Sequence, residues 1–171
     1  NKFLITSFEA CDKARKSPAT PFGVLLLGAG KVAMIIKVCG MRDADNIQKV
    51  SQIEGIDWMG FIFTDKSKRY AFANDDFETN TDKKKVGVFV DATIEDVIDK
   101  IEKYNLNIVQ LHGEESVSYI NELVTNEAAE AILVMKAFAV DSDFDFSITE
   151  EYEDEVDYFL FDAKGEEAGG N

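Results

Sequence analysis

An α/β fold built on a parallel sheet is predicted by the sequence, in the form of a (β/α)8 barrel to which this chain contributes about six of the eight βα units. From residue 35 onward, short apolar runs recur roughly every 20 to 30 residues, the length of a strand, a helix and two loops. The glycine-rich dinucleotide loop of an open, doubly wound sheet is not found, because Gly28-Ala29-Gly30-Lys31 lacks the upstream glycine and the Ser or Thr after the lysine. The closed barrel is therefore the better interpretation.

Six apolar runs are predicted to be the strands of this sheet. Several of them are apolar at nearly every position, which is typical of parallel strands that are covered on both faces. The six runs are Ile35–Cys39, Trp58–Phe63, Val86–Val90, Ile108–Leu111, Ile132–Phe138 and Tyr158–Phe161.

Two of the segments between these runs are predicted to be amphipathic helices. Asp43–Ile53 and Thr93–Tyr104 have apolar residues at intervals of three and four positions. Thr93 followed by Asp96 has the pattern of a capped helix start. Helices of this kind pack one apolar side against a sheet.

The chain divides at about residue 34. Residues 34–171 are assigned to a partial βα-barrel catalytic domain. Residues 1–33, which contain both prolines, do not follow the strand and helix rhythm and are assigned to an N-terminal extension of uncertain origin. This segment is an upstream extension, the tail of a fused neighbour, or an added strand from Gly23 to Leu27.

Charge and composition exclude several classes of function. The formal net charge of -15 argues against nucleic-acid binding, which needs a concentrated basic surface, and the acidic run within residues 150–155 is expected to be a solvated helix face. No apolar stretch approaches the ~18 to 20 residues of a membrane span. The two cysteines form no spaced disulfide framework, which favours a reducing compartment. We therefore expect a cytoplasmic protein that binds neither nucleic acid nor membrane.

Reactive groups of a βα barrel are expected where the strands end, because their carboxyl ends meet on one face. Cys39 ends the first run, and Gly40 after it permits a tight turn that keeps the thiol open to the pocket. Such a thiol can act as a base, although a small buried hydrophobe is the alternative. Asp162 follows the sixth run, where a carboxylate either enters a cleft as a proton donor or serves as a cap or as the partner of Lys164 or Lys136 in a salt bridge.

Three further polar residues are candidates for the same face. Arg69 lies in a basic loop, and its planar guanidinium suits a carboxylate ligand; a solvated loop charge is the alternative. Gln110 and His112 lie around the end of the fourth run. His112 is the only histidine, so a metal site with two or more histidine ligands is excluded, and a lone histidine is more often a hydrogen-bonded structural group than a catalyst.

Six segments between residues 35 and 170 match a known enzyme family in order and in spacing. They are Lys37–Met41, Gly60–Phe63 with Ser67–Tyr70, Lys85–Val90, Val109–Glu114, Lys136–Phe138 and Phe161–Lys164. On these segments the chain resembles phosphoribosylanthranilate isomerase, a family of tryptophan biosynthesis. Agreement over six collinear segments is far more specific than any single motif.

The resemblance implies a TIM barrel that works without cofactor or metal. It implies the Amadori rearrangement of N-(5'-phosphoribosyl)anthranilate, a phosphorylated small molecule, to 1-(2-carboxyphenylamino)-1-deoxyribulose 5-phosphate. Asp162 is implied to be the general acid that protonates the ring oxygen, Cys39 the base that removes the C2' proton, and Arg69 the group that holds the anthranilate carboxylate. Further implied substrate-binding residues are Gln110, His112, Gly169 and Gly170. A monomer or homodimer is expected, as is fusion to, or adjacency with, another tryptophan-pathway enzyme.

The family continues beyond Asn171 through strands seven and eight, whose loops commonly bind the phosphate of barrel substrates. Six units also leave two unpaired strand edges. The chain is therefore expected to be a fragment that is poorly folded or inactive alone. Two alternatives stay open: another phosphate-binding βα-barrel enzyme, such as an epimerase or an indole-forming synthase, and a non-catalytic remnant. The single histidine counts against metal-dependent epimerases.

Overall fold

Six parallel strands in sequential order form the sheet of the computed structural model, which describes residues 4–5, 35–71 and 81–163. A two-residue strand, β1, pairs antiparallel with the first of them. The order never reverses along the sheet, unlike that of a doubly wound fold, which reverses at a switch point. The strands are β1 (Leu4–Ile5), β2 (Ile36–Cys39), β3 (Trp58–Ile62), β4 (Lys84–Phe89), β5 (Ile108–Leu111), β6 (Leu133–Val140) and β7 (Tyr158–Ala163).

The sheet is strongly curled, as a contact between two distant strands demonstrates. The rings of Trp58 on β3 and Tyr158 on β7 meet edge to face with their centroids 5.2 Å apart. Four strand spacings separate β3 from β7, which would place them about 19 Å apart in a flat sheet. The sheet therefore bends around its inner face as part of a barrel wall does.

The α-helices cover the outer face of the curl. They are α1 (Ala44–Ser51), α2 (Ile94–Tyr104) and α3 (Val117–Val124). Apolar residues of α2 and α3 pack with outward-pointing residues of β4, β5 and β6 in the largest core cluster, and Ile47 of α1 packs with Met59 and Phe61 of β3. Side chains in a strand alternate between faces, so the residues between these point inward.

The inner face has its own apolar cluster, which contains no helix residue. Its buried members are Trp58, Val86, Ile108, Met135, Ala137 and Leu160, drawn from five strands. On β5 and β7, polar side chains follow this layer toward the carboxyl ends of the strands: Gln110 and His112 come after Ile108, and Asp162 comes after Leu160.

All six predicted strands are present with small shifts at their ends, and β5 has the predicted bounds. The helix predicted over Asp43–Ile53 is α1 with Asp43 as its N-cap, and Thr93 caps α2 by accepting the N–H of Asp96. The acidic run is largely exposed, but its first residues lie in a 3-10 helix, Phe146–Tyr152, instead of an α-helix. The strand considered for Gly23–Leu27 lies outside the described residues.

Candidate active site

The thiol of Cys39 lies at the carboxyl end of β2, next to two glycines, Gly60 and Gly40. Cys39 points to the inner face and is the register partner of Gly60 on β3. A Cβ atom on Gly60 would lie 2.7 Å from Sγ of Cys39, so the thiol occupies space that only glycine leaves open. Gly40 has a φ of +86° and turns the chain away from the strand, while its N–H donates to the carbonyl of Gly60.

Arg69 reaches this strand end from the loop after β3. A Cβ atom on Gly40 would lie 2.9 Å from Cδ and 3.2 Å from Nη1 of Arg69, so the guanidinium arm lies across Gly40. The two loops are also tied together by Arg42, whose Nη1 donates to the carbonyl oxygen of Lys68 at 2.8 Å. Glycine at position 40 therefore permits both the turn and the close approach of Arg69 to the residue that follows Cys39.

A line of polar side chains crosses the inner face from β2 to β7. Lys37, two residues before Cys39, is buried, and its Nζ donates to Oε1 of Gln110 on β5. Nε2 of Gln110 lies 3.5 Å from Nδ1 of His112. Nε2 of His112 in turn lies 3.9 Å from Oδ2 of Asp162. The line therefore joins the strand that carries the thiol to the strand that carries the carboxylate.

Burial lowers the pKa of two of these groups. Burial lowers the pKa of Lys37 below its ordinary value, against the opposing influence of Cys39 and Asp162. Burial also lowers the pKa of His112, with Asp162 opposing the shift. The lowered pKa favours the neutral imidazole, which donates through one ring nitrogen and accepts through the other.

Lys136 does not belong to this inner group. It lies on the helix side of β6, where Nζ contacts Oε2 of Glu115 at 2.8 Å, and both side chains are almost fully buried. The pairing of Lys136 with Asp162 considered from the sequence is therefore wrong. The Glu115 carboxylate also accepts the N–H groups of Asp91 and Gly113, so this ion pair anchors the loop that follows β5.

Five of the seven predicted site residues are described, and they meet at the carboxyl-end side of the sheet. Cys39, Gln110, His112 and Asp162 share the inner face, and Arg69 joins them from the loop after β3. Gly169, Gly170 and Lys164 lie outside the described residues.

Lys37 lies in one of the segments that match the family, but the sequence analysis predicted no role for it. It lies two positions before Cys39, and the two-residue period of a strand places both on one face. A basic residue inside an apolar run was the signal that could have identified it.

The arrangement offers a thiol and a carboxylate on one concave face, with a guanidinium at its rim. Such groups can remove and donate protons around one bound anionic substrate. Within the parts of the chain that the structure describes, no three His, Cys, Asp or Glu side chains are grouped to hold a metal ion. In the same parts, no helix has the length and apolar character needed to cross a membrane.

Comparison with known proteins identifies the family. The sequence model of N-(5'phosphoribosyl)anthranilate (PRA) isomerase matches residues 36–171. The N-(5'-phosphoribosyl)anthranilate isomerase of Parabacteroides distasonis is 44% identical over 143 residues, which make up 81% of this chain and 62% of that protein. The one from Phocaeicola vulgatus is 37% identical over 138 residues, covering 81% of this chain and 64% of the relative. The chain thus spans less than two thirds of the length of these relatives.

A solved structure agrees with the sequence comparisons. The crystal structure of phosphoribosyl anthranilate isomerase from Thermotoga maritima superposes with a TM-score of 0.60 at 32% identity, covering 79% of this chain and 64% of that one. A second structure, of monomers generated from the dimeric Thermotoga maritima enzyme, gives a TM-score of 0.54 at 30% identity, with 74% and 73% of the two chains covered. By sequence and by fold, the chain belongs to the N-(5'-phosphoribosyl)anthranilate isomerase family.

Proposed function

We propose that the protein containing this chain catalyses the Amadori rearrangement of N-(5'-phosphoribosyl)anthranilate to 1-(2-carboxyphenylamino)-1-deoxyribulose 5-phosphate, a step of tryptophan biosynthesis. Membership of the family supports this activity. The observation that carries the proposal is that Cys39 and Asp162 share one inner face, across which Lys37, Gln110 and His112 join the strand of the thiol to the carboxylate.

The reaction needs one proton donor and one proton acceptor on either side of a sugar ring. Asp162 donates a proton to the ring oxygen, which breaks the bond from that oxygen to C1' and leaves a Schiff base with the anthranilate nitrogen. Cys39 then removes the proton from C2'; the electron pair of that C–H bond forms the C1'–C2' double bond as the C=N pair moves to nitrogen. The resulting enol takes up a proton at C1' and releases its hydroxyl proton to give the ketone product. Two groups held at fixed positions supply both steps, and this positioning contributes much of the rate.

Arg69 binds the carboxylate of the anthranilate ring in this proposal. Its guanidinium lies across Gly40, immediately beyond Cys39, and five N–H donors in a planar fork suit a carboxylate. Carboxylate binding at this point orients the aminal carbon toward the thiol side of the pocket. A lysine at position 69 would keep the charge but lose the paired donors.

The closed eight-unit barrel is part of the same proposal. The β7 edge and the phosphate-binding half of the site are completed by βα units seven and eight of the longer protein, and Gly169 and Gly170 contribute to the substrate site. A homodimer is favoured over a monomer by the dimeric Thermotoga maritima relative, and sedimentation of the full-length protein measures this. Fusion to another tryptophan-pathway enzyme stays a prediction.

The activity is tested in the full-length protein by following conversion of N-(5'-phosphoribosyl)anthranilate. We expect Cys39→Ser and Asp162→Asn each to lower kcat/KM by about 10² to 10⁴, the usual contribution of a positioned acid or base, with unchanged thermal unfolding. Asp143→Asn, which removes an exposed carboxylate from the loop after β6, is the matched control and keeps wild-type turnover. Turnover retained by either site variant contradicts the assigned roles, and a wild-type protein without turnover contradicts the activity itself.

A further inference from the structure

Gln110 lies between two partners that determine the orientation of its side-chain amide. A charged lysine has three N–H donors and no acceptor, so Lys37 must face the amide oxygen, as it does. The amide nitrogen is thereby directed to the other side, where it lies 3.5 Å from Nδ1 of His112. The reversed amide would set a donor against the lysine ammonium.

The orientation of Gln110 in turn determines which nitrogen of His112 carries the proton. An amide N–H that faces Nδ1 needs an acceptor there, and a ring nitrogen that accepts carries no proton. The proton of the neutral imidazole is therefore on Nε2, the nitrogen that faces Oδ2 of Asp162 at 3.9 Å. A lysine on β2 thus controls a donor that faces a carboxylate on β7.

The surrounding charges keep the imidazole in the neutral form that this arrangement requires. Burial is the main cause of its lowered pKa, and the charges of Lys37 and Lys136 act in the same direction. Asp162 and Glu115 act in the opposite direction. Of these four groups, Lys37 and Asp162 lie on the inner face with His112, whereas Glu115 and Lys136 lie on the helix side.

We propose that Lys37 is a positioning residue that acts through Gln110 to hold His112 in the Nε2–H tautomer, with that proton directed at Asp162. The catalytic consequence rests on the proposed function. When Asp162 transfers its proton to the substrate ring oxygen, the carboxylate that remains meets the N–H of His112, which keeps its own proton. Lys37 therefore acts through Gln110 and His112 on Asp162, the group that opens the sugar ring.

Nitrogen-15 NMR of the full-length protein tests this directly, with the ring nitrogens of His112 identified as the signals that His112→Asn removes. At pH 7.5 we expect the wild-type protein to show one His112 tautomer, with Nε2 protonated and Nδ1 not. Lys37→Met should release Gln110, produce a mixture of the two tautomers, and shift the titration midpoint of His112 upward because a cation is lost. Gln110→Met keeps the Lys37 cation but removes the amide between Lys37 and His112. It should therefore produce the mixture of tautomers with a smaller shift of the His112 titration midpoint.

Lys103→Met, which removes an exposed lysine on α2, is the control and should change neither the tautomer nor the midpoint. A proton on Nδ1 of the wild-type protein at pH 7.5 overturns the proposal without any variant. It is also overturned if Lys37→Met keeps the wild-type tautomer, whatever happens to the midpoint. Neither measurement depends on turnover. A tautomer result that contradicts the role of Lys37 therefore does not contradict the isomerase activity, and an inactive protein does not affect the tautomer result.

Discussion

Gly60 and Cys39 are neighbours on adjacent parallel strands, and a Cβ atom at position 60 would lie 2.7 Å from the sulfur and 3.1 Å from Cα of Cys39. The first distance is shorter than Cβ contacts in proteins allow, and the second is tighter than most such contacts and involves the backbone of β2. The missing side chain at position 60 therefore determines where the thiol sits.

Gly60→Ala is expected to displace the Cys39 thiol from its position on the inner face. Because a displacement of about 1 Å at a catalytic group can cost about 10² in rate, we expect kcat/KM of the full-length protein to fall by at least about tenfold. The measurement is turnover per folded molecule, with folding followed by circular dichroism.

Gly87→Ala is the matched control for this prediction. Its Cβ atom would lie 2.6 Å from Leu106 and 2.8 Å from the Phe89 ring on the helix side of the sheet. This change should lower the stability of the protein and leave kcat/KM of the folded molecules unchanged. Wild-type turnover in Gly60→Ala would show that the thiol position is not critical.

The buried pair of Glu115 and Lys136 predicts strong non-additivity between two substitutions. Lys136→Met leaves a carboxylate buried without its cation, which should cost about 3 to 5 kcal/mol of unfolding free energy. Glu115→Gln leaves the buried ammonium in the same position and should also be strongly destabilising. The double variant contains neither charge, so its loss should be clearly smaller than the sum of the two single losses. Urea unfolding of the four proteins measures this, and additive losses would show that the two charges do not stabilise each other.

The strands, and the end of the sheet at which the candidate catalytic residues lie, could be predicted from the sequence because both follow from patterns of neighbouring residues. Apolar runs marked each strand, and Cys39 and Asp162 were identified as strand-end residues. Pairing across the curl was not predictable, since the partner of a side chain depends on which strands the curl brings together. Lys136 was accordingly considered for Asp162 although it points to the opposite face, and Lys37 received no role although it contacts Gln110 three strands away.

Tyr119→Phe is expected to stabilise the protein. Among the described residues, the Tyr119 hydroxyl is a buried polar atom without a hydrogen-bond partner, and burial raises its pKa to about 12. Removing a buried, unpaired hydroxyl relieves a desolvation cost of about 1 to 3 kcal/mol, so we expect a gain of about 1 kcal/mol in urea unfolding. Tyr152→Phe is the opposite case, because that hydroxyl donates to the carbonyl of Glu115, and it should destabilise. Equal effects of the two substitutions would contradict this explanation.

The lowered pKa of His112 predicts a specific loss of stability in mild acid. The unfolded chain binds a proton at this residue with a pKa of about 6.5, whereas the buried imidazole binds it only at lower pH. Between these two values the unfolded state holds more protons than the folded state, so the free energy of unfolding decreases as the pH falls. Below the folded value both states are protonated and the contribution no longer changes.

His112→Asn isolates this contribution from that of the 33 Asp and Glu residues, which also titrate in acid. We expect the free energy of unfolding of the wild-type chain, minus that of His112→Asn, to be constant above about pH 7 and to decrease as the pH falls below about 6.5. Urea unfolding at half-unit steps from pH 8 to pH 5 measures the difference. A difference that increases toward acid would mean that Asp162 holds the imidazole protonated in the folded state, because a charged imidazole paired with a carboxylate gains stability where the unfolded chain is still neutral.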